Sequence, residues 1–272
     1  MKKLYRILCK KILLHFYSNI SLILNKFQHR IIPSYAEIIN QNFKYSKINR
    51  RLVYQVPTTQ FGKLIVDTTH HNTDLCKLGA KFKTNKSSLN MHGHRSGYTP
   101  YYYLTFKHLK NKKINFGEIG IELNASTNMW RKFFSKADLF MFEFDKKKIK
   151  NALKEKLKKT KYLQIDVSNK KSILNSFNKL NKKFDILIDD STHSFNDQIN
   201  IIENTVDFIK QDGILIIEDI FKYKKENSEM NYFDKLKKIK HNFKDIFFVE
   251  FYNINNFTAS WKCEKILVLI KK

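Results

Sequence analysis

Arginine is the first scarcity of this sequence: six of 51 basic residues are Arg and the rest are Lys. The formal net charge of +26 would ordinarily point to a polyanion or an anionic membrane surface. Readers of bases and phosphates favour the bidentate fork of Arg, so its scarcity weighs against nucleic acid. The lysine excess, beside abundant Asn and Ile, reads as compositional drift. Cysteine is sparse too. Cys9, Cys76 and Cys263 are odd in number and far apart, which excludes a disulfide framework or a usual zinc spacing and favours a reducing cytoplasm. Long apolar runs are missing as well. Ile12 to Asn25 carries no formal charge apart from His15, but a bilayer span needs about 20 apolar residues, and no small-residue cleavage site follows. What is present is enough for a core: 272 residues, 42% hydrophobic and 14% aromatic, which excludes disorder and allows one large domain or a large and a small one.

The chain opens with Lys2, Lys3, Arg6, Lys10 and Lys11, followed by Leu13, Phe16, Ile20, Ile23 and Phe27 on one helical face. This basic amphipathic helix, residues 1–30, is expected either to pack on the body or to lie on an anionic membrane surface through residues 1–27. Residues 31–112 read as a cap or lid region. Pro33 and Pro57 interrupt its first part, where RLVYQV and KLIVDT are short strand candidates. Its polar stretch Lys83 to Pro100 contains Gly93 and Gly97 and reads as a lid or substrate loop. His92 and His94 match no usual ligand spacing.

From residue 113 the rhythm becomes strand, helix, strand. KINFGEIGIEL, ADLFMFEFD, KYLQIDV, FDILID and DGILIIEDI alternate with helical patterns at Ser126 to Phe134, Lys146 to Lys159, Asn169 to Lys182, Phe195 to Ile209 and Ser228 to His241. FKDIFFVEFY and CEKILVLIKK then follow as two successive strands. The pattern predicts an α/β domain over 113–272, mostly parallel and finished by an antiparallel pair.

The acids gather at strand ends, where open α/β sheets bind ligands. Glu118 precedes Gly120; Glu143 and Asp145 end the second strand of the domain, and Asp166 the third. Asp189 and Asp190 end the fourth just ahead of His193, and Glu218 and Asp219 the fifth. Glu143 lies 23 positions beyond Gly120, a spacing suited to an acid that takes both hydroxyls of a ribose. The plainer alternative is that Glu143 caps the next helix.

The order Glu118-Ile-Gly120, Glu143-x-Asp145, Asp166, IDDSTH and LIIEDI resembles the class I S-adenosylmethionine-dependent methyltransferases. Within them it is similar to the metal-dependent sugar O-methyltransferases of the macrolide type and their relatives in polysaccharide clusters. The upstream elements of that group appear as Thr84-Asn85-Lys86 and Gly97-Tyr98-Thr99-Pro100, and the resemblance covers roughly Lys77 to Lys272. It implies a Rossmann-like, doubly wound, seven-stranded sheet and an O-methyltransferase acting on a sugar hydroxyl. Asp190, Glu218 and Asp219 would be ligands of Mg²⁺ and His193 the general base. Glu143 would hold the cofactor ribose and Asp166 meet the adenine, with Thr84, Lys86, Tyr98, Glu118, Gly120 and Asp189 completing the S-adenosylmethionine site. A homo-oligomer is compatible with the resemblance.

Two departures stand out, and a third, at Ser191, is milder. The loop after the first strand reads Gly120-Ile-Glu-Leu-Asn-Ala-Ser126, without the second and third glycines of the group. Asn85 replaces an acid, and Ser191 replaces a glycine. These changes keep open a non-catalytic binding protein on the same fold, and the charge keeps open an RNA methyltransferase. Intact Asp190, His193, Glu218 and Asp219 argue against the first and the Arg deficit against the second.

Overall fold

The computed structural model describes residues 61–257 and 263–272. The 1–30 helix, its membrane-surface role and the RLVYQV strand lie outside the described residues. Thr59–Lys272 is one compact unit, so the body begins well before residue 113.

In chain order the elements are β1 (Gly62–Asp67), α1 (Asp74–Lys81), α2 (Thr99–Phe106), β2 (Asn115–Ile119), α3 (Ala125–Phe133), β3 (Asp138–Glu143), α4 (Lys146–Leu153), β4 (Thr160–Gln164) and α5 (Lys170–Leu180), then β5 (Phe184–Asp189), α6 (Phe195–Thr205), β6 (Ile209–Ile217), α7 (Glu229–Leu236), β7 (Phe243–Tyr252) and β8 (Lys265–Lys271). One sheet contains all eight strands of the described residues, in the order β1-β7-β8-β6-β5-β2-β3-β4. β8 runs antiparallel to β6 and β7, and the other pairings are parallel. The architecture is therefore Rossmann-like and mostly parallel with a C-terminal antiparallel strand, as expected, but with eight strands rather than seven. The additional one is β1, the KLIVDT segment, which pairs along β7 from Gly62–Phe247 to Asp67–Tyr252.

The central strands are apolar on both faces because helices cover both. Along β3, Phe140 and Phe142 face α5 and α6 with Ile173, Phe177, Ile201 and Ile202. Leu139 and Met141 face the opposite layer with Tyr102, Phe106, Trp130 and Phe133. Each fully buried Ile or Phe stabilises the fold by about 1.5–3 kcal/mol. Two elements differ from the periodicity. α4 stops at Leu153, since Lys156 (φ 51°) and Lys159 (φ 52°) turn the chain into β4. The Asp212-Gly213 turn is absorbed into β6: Asp212 has φ 61°, and the register against β5 shifts between Phe184 and Ile186. No helix of the described residues is long and apolar enough to cross a membrane.

Candidate active site

The sheet's winding reverses between β2 and β5. From β2 the chain proceeds outward to β3 and β4, then returns to build β5 and β6 on the other side. Such a switch point opens a crevice at the carboxyl ends of the strands. Here Asp190 N–H donates to the Ile119 carbonyl at 2.8 Å, drawing the two strand ends together. Gly120 has φ +90°, and a Cβ there would overlap the Asp190 carbonyl oxygen. Only glycine fits this position. The loop beyond it keeps a left-handed backbone without glycine: Glu122 has φ 43° and Asn124 φ 63°. Asn adopts this region readily and Glu at a cost of about 1 kcal/mol. Ser191 is not among the left-handed residues. His193 is, at φ 58°, and so is Asp219, at φ 53°.

Two adjoining cavities occupy the crevice. The first, about 300 Å³, is lined by Gly120, Glu122, Glu143, Phe144, Asp166 and Asp190. Glu143 accepts backbone N–H groups from Ile121 at 3.2 Å and Asp145 at 2.9 Å. The helix cap belongs to Asp145, whose carboxylate accepts from Lys147 N, so Glu143 keeps lone pairs for a ligand. Asp166 accepts from the Ser168 backbone and hydroxyl. The second cavity, about 480 Å³, is lined by Thr84, Asn85, His94, Ser96, His193 and Asp219 among others. Its outer wall is the upstream loop, tied down by Ser96 N to the Asn85 carbonyl, Tyr98 N to the Lys86 carbonyl and an Arg95–Phe257 bridge.

Where the cavities meet lies a cluster of acids. Lys86 Nζ sits 2.5 Å from Asp190 Oδ2, 2.5 Å from Glu218 Oε2 and 3.4 Å from Glu118 Oε1. Glu118 also accepts from Ser126 Oγ and Trp130 Nε1. His193 Nε2 is 3.1 Å from Asp190 Oδ1 and 3.6 Å from Asp219 Oδ2. Tyr98 and Tyr102, four residues apart on one helical face, reach the consecutive acids just beyond β6: Tyr98 OH lies 2.6 Å from Asp219 Oδ1, and Tyr102 OH donates to Glu218 Oε1 at 2.7 Å. Asp190, His193 and Asp219 each offer one ligand atom within 4.8 Å of the others, so this trio is able to hold a metal ion. Glu218 is turned away into Lys86 and Tyr102.

The electrostatics follow from burial and from a shortage of cations. Burial by itself would raise the Asp190 pKa, but the Lys86 charge and the His193 hydrogen bond hold it at about 2. Burial would lower Lys86, yet the charges of Asp190, Glu218 and Glu118 keep it well above the ordinary lysine value. One ammonium cannot neutralise three carboxylates. Glu218 is accordingly pushed well up, by burial and by the neighbouring Asp190 and Asp219, even against Lys86. Glu118 and Asp219 are raised by burial as well, and Asp189, buried beside Ser191, rises to about 7. Burial would lower His193, but its hydrogen bond to Asp190 and the charges of Asp219, Asp190 and Asp189 raise it to about 9.

Of the residues expected at the cofactor, Thr84, Gly120, Glu143 and Asp166 line the crevice. Lys86, Tyr98, Glu118 and Asp189 lie buried beneath it, positioned to support the acids. Sequence reasoning missed Tyr102, although its four-residue spacing from Tyr98 was a readable signal. It also missed the Glu122–Lys148 ion pair, at 2.5 Å, for which nothing in the sequence speaks.

No protein-family model matches the sequence, and no curated protein matches it. Among solved structures the chain is similar to the MycE methyltransferase from the mycinamycin biosynthetic pathway in complex with Mg, SAH and mycinamycin VI, with 17% identity and a TM-score of 0.55 over 74% of this chain and 55% of that one. The same methyltransferase with Mg and SAH gives 17% identity and a TM-score of 0.54, again over 74% and 55%. The chain therefore spans about half the length of these two structures. At this identity the likeness establishes the fold alone, the Rossmann-like one that the chain shares with these methyltransferase structures.

Proposed function

We propose that this chain transfers the methyl group of S-adenosylmethionine to a sugar hydroxyl, on a surface polysaccharide or a glycosylated metabolite, with a divalent cation such as Mg²⁺ in attendance. The observation that carries the reading is the junction of the two cavities: Gly120, Asp190 and Ser191 line both. A ligand beside Glu143 and Asp166 is thereby brought next to Asp190, His193 and Asp219. The likeness to a methyltransferase solved with Mg, SAH and mycinamycin VI supports the same reading. So does the polar lining of the outer cavity by Thr84, Asn85, His94 and Ser96, which suits a hydroxyl-rich acceptor.

The residues fit the cofactor. Glu143 retains lone pairs for two ribose hydroxyls, and the side-chain-free Gly120 leaves room for close backbone approach. They also fit a hard cation. Asp190 and Asp219 are oxygen donors of the kind Mg²⁺ prefers, and the cluster of Glu118, Asp189, Asp190, Glu218 and Asp219 is only partly offset by Lys86 and His193. In the transfer the C–S bond breaks as the C–O bond forms, the sulfur keeps the electron pair, and the hydroxyl proton passes to His193 Nε2. With a pKa near 9, His193 is already protonated at neutral pH and accepts nothing. A divalent ion held by Asp190 and Asp219 would offset their charge, freeing His193 to act as base, and would acidify the hydroxyl. The crevice's own contribution is in-line positioning of acceptor and methyl group.

Calorimetric titration with S-adenosylhomocysteine, with and without Mg²⁺, tests the cofactor assignment; an absence of binding at millimolar ligand favours a non-catalytic protein. Labelled methyl transfer to glycosylated acceptors and to RNA tests the substrate, and transfer to RNA alone overturns the sugar. The basic, apolar residues 1–27 would bring this chemistry to an anionic membrane surface, which co-sedimentation with anionic vesicles checks.

A further inference from the structure

Asp190 divides the acidic cluster into an inner and an outer half. On the inner side its Oδ2 meets Lys86, and on the outer side its Oδ1 faces His193. Asp219 is divided likewise, with Oδ1 beside the Tyr98 hydroxyl and Oδ2 toward His193. Glu218 belongs wholly to the inner half, one oxygen on Lys86 and the other on Tyr102. We propose that Lys86 is a positioning residue that keeps Glu218 out of the cation's coordination shell, so that a divalent ion is held by one oxygen each of Asp190 and Asp219, more loosely than three carboxylates would hold it.

This inference rests on the cation reading above, and three observations support it. Lys86 cannot readily withdraw: it is 1% exposed, and its carbonyl accepts the N–H groups of both Tyr98 and Thr99. Its departure would strand the carboxylates of Glu118 and Glu218, 0% and 1% exposed, without a counter-charge, and an unpaired buried charge is strongly destabilising. Finally, a fixed ammonium bonded to Asp190 repels any divalent ion held by the same carboxylate. The consequence is chemical. With two single-oxygen ligands from the protein, a Mg²⁺-sized ion keeps most of its six positions for water and acceptor oxygens.

The test is titration of the full chain with Mn²⁺, free ion being followed by electron spin resonance. Glu218→Gln should leave the affinity within about threefold of wild type, whereas Asp219→Asn should weaken it at least tenfold, on the order expected for loss of a charged ligand. Lys86→Met should tighten binding by roughly tenfold, because a repulsion is removed and Glu218 is released; damage to the fold would move affinity the other way. Equal losses in Glu218→Gln and Asp219→Asn would make Glu218 a ligand and overturn the proposal, as would a folded Lys86→Met protein that binds no more tightly than wild type. Should Lys86→Met not fold, the contrast between the other two variants decides. S-adenosylhomocysteine titration of the same samples reads the cofactor separately. Wild type that binds this ligand but no Mn²⁺ at millimolar concentration overturns the Lys86 assignment and leaves the cofactor reading standing.

Discussion

The two flanks of the sheet's carboxyl edge hold their acids by different means. Beyond β3 and β4, Glu143 and Asp166 accept main-chain N–H groups from residues of their own loops or the adjoining one. Beyond β5 and β6, Asp190, Glu218 and Asp219 are held by Lys86, Tyr98, Tyr102 and His193, side chains that mostly arrive from the upstream loop and α2. Main-chain dipoles are neutral, so the first flank presents independent carboxylates with lone pairs to spare for uncharged hydroxyls. The second flank is a charge network in which each member sets the state of the others. Substitutions on the β3–β4 flank should therefore act singly, and those on the β5–β6 flank should propagate.

The largest effect is expected at His193. His193→Ala should slow methyl transfer by about 10²–10⁴-fold, the usual size of a general-base contribution, while S-adenosylhomocysteine binding by calorimetry stays near wild type. Turnover close to wild type would leave His193 as a structural partner of Asp190. Its titration sharpens the same point. Without divalent ion the folded pKa is near 9, above the unfolded value of about 6.5. The ion pair then stabilises the fold fully below the lower value and is lost as pH rises through the upper one. Stability of wild type relative to His193→Gln should shrink across that window, and Mg²⁺ should move the imidazole NMR midpoint downward.

Next comes Asp190→Ala, which removes a partner from both halves of the cluster. It should cost roughly 3 kcal/mol in urea denaturation because Lys86 loses a close counter-charge; Asp166→Ala, on the other flank, should cost less than about 1 kcal/mol. Equal losses would erase the distinction between the flanks. Glu143→Ala should weaken S-adenosylhomocysteine by about 1.5–3 kcal/mol, as for lost charge-assisted hydrogen bonds, without altering Mn²⁺ affinity. The smallest effect is expected at Glu122→Gly, which relieves a left-handed backbone and should change stability by no more than about 1 kcal/mol. A large loss of cofactor affinity there would give the Glu122–Lys148 pair a binding role.

The strands, the helices and the positions of the acids at strand ends were legible because they depend on local order. Phe140 and Phe142 alternate with Leu139 and Met141 whatever the rest of the chain does, and a strand with both faces buried has to be apolar throughout. The carboxyl-edge rule then placed Glu143, Asp166, Asp190 and Asp219 at one crevice. Gly120, too, declared itself by standing directly after β2. What the sequence could not supply was which acid faces which cation. Glu218 and Asp219 are neighbours in the chain and alike in chemistry, yet successive residues leave a strand end in different directions, and Asp219 takes φ 53°. One acid enters the core against Lys86 and the other opens to the cleft. That division depends on Lys86, 132 positions from Glu218, and on α2, which with its capping residue Tyr98 brings Tyr98 and Tyr102 across the end of β6. Local periodicity determined where the charges would gather; only long-range packing, through the requirement that buried charges be paired, decided how they are shared.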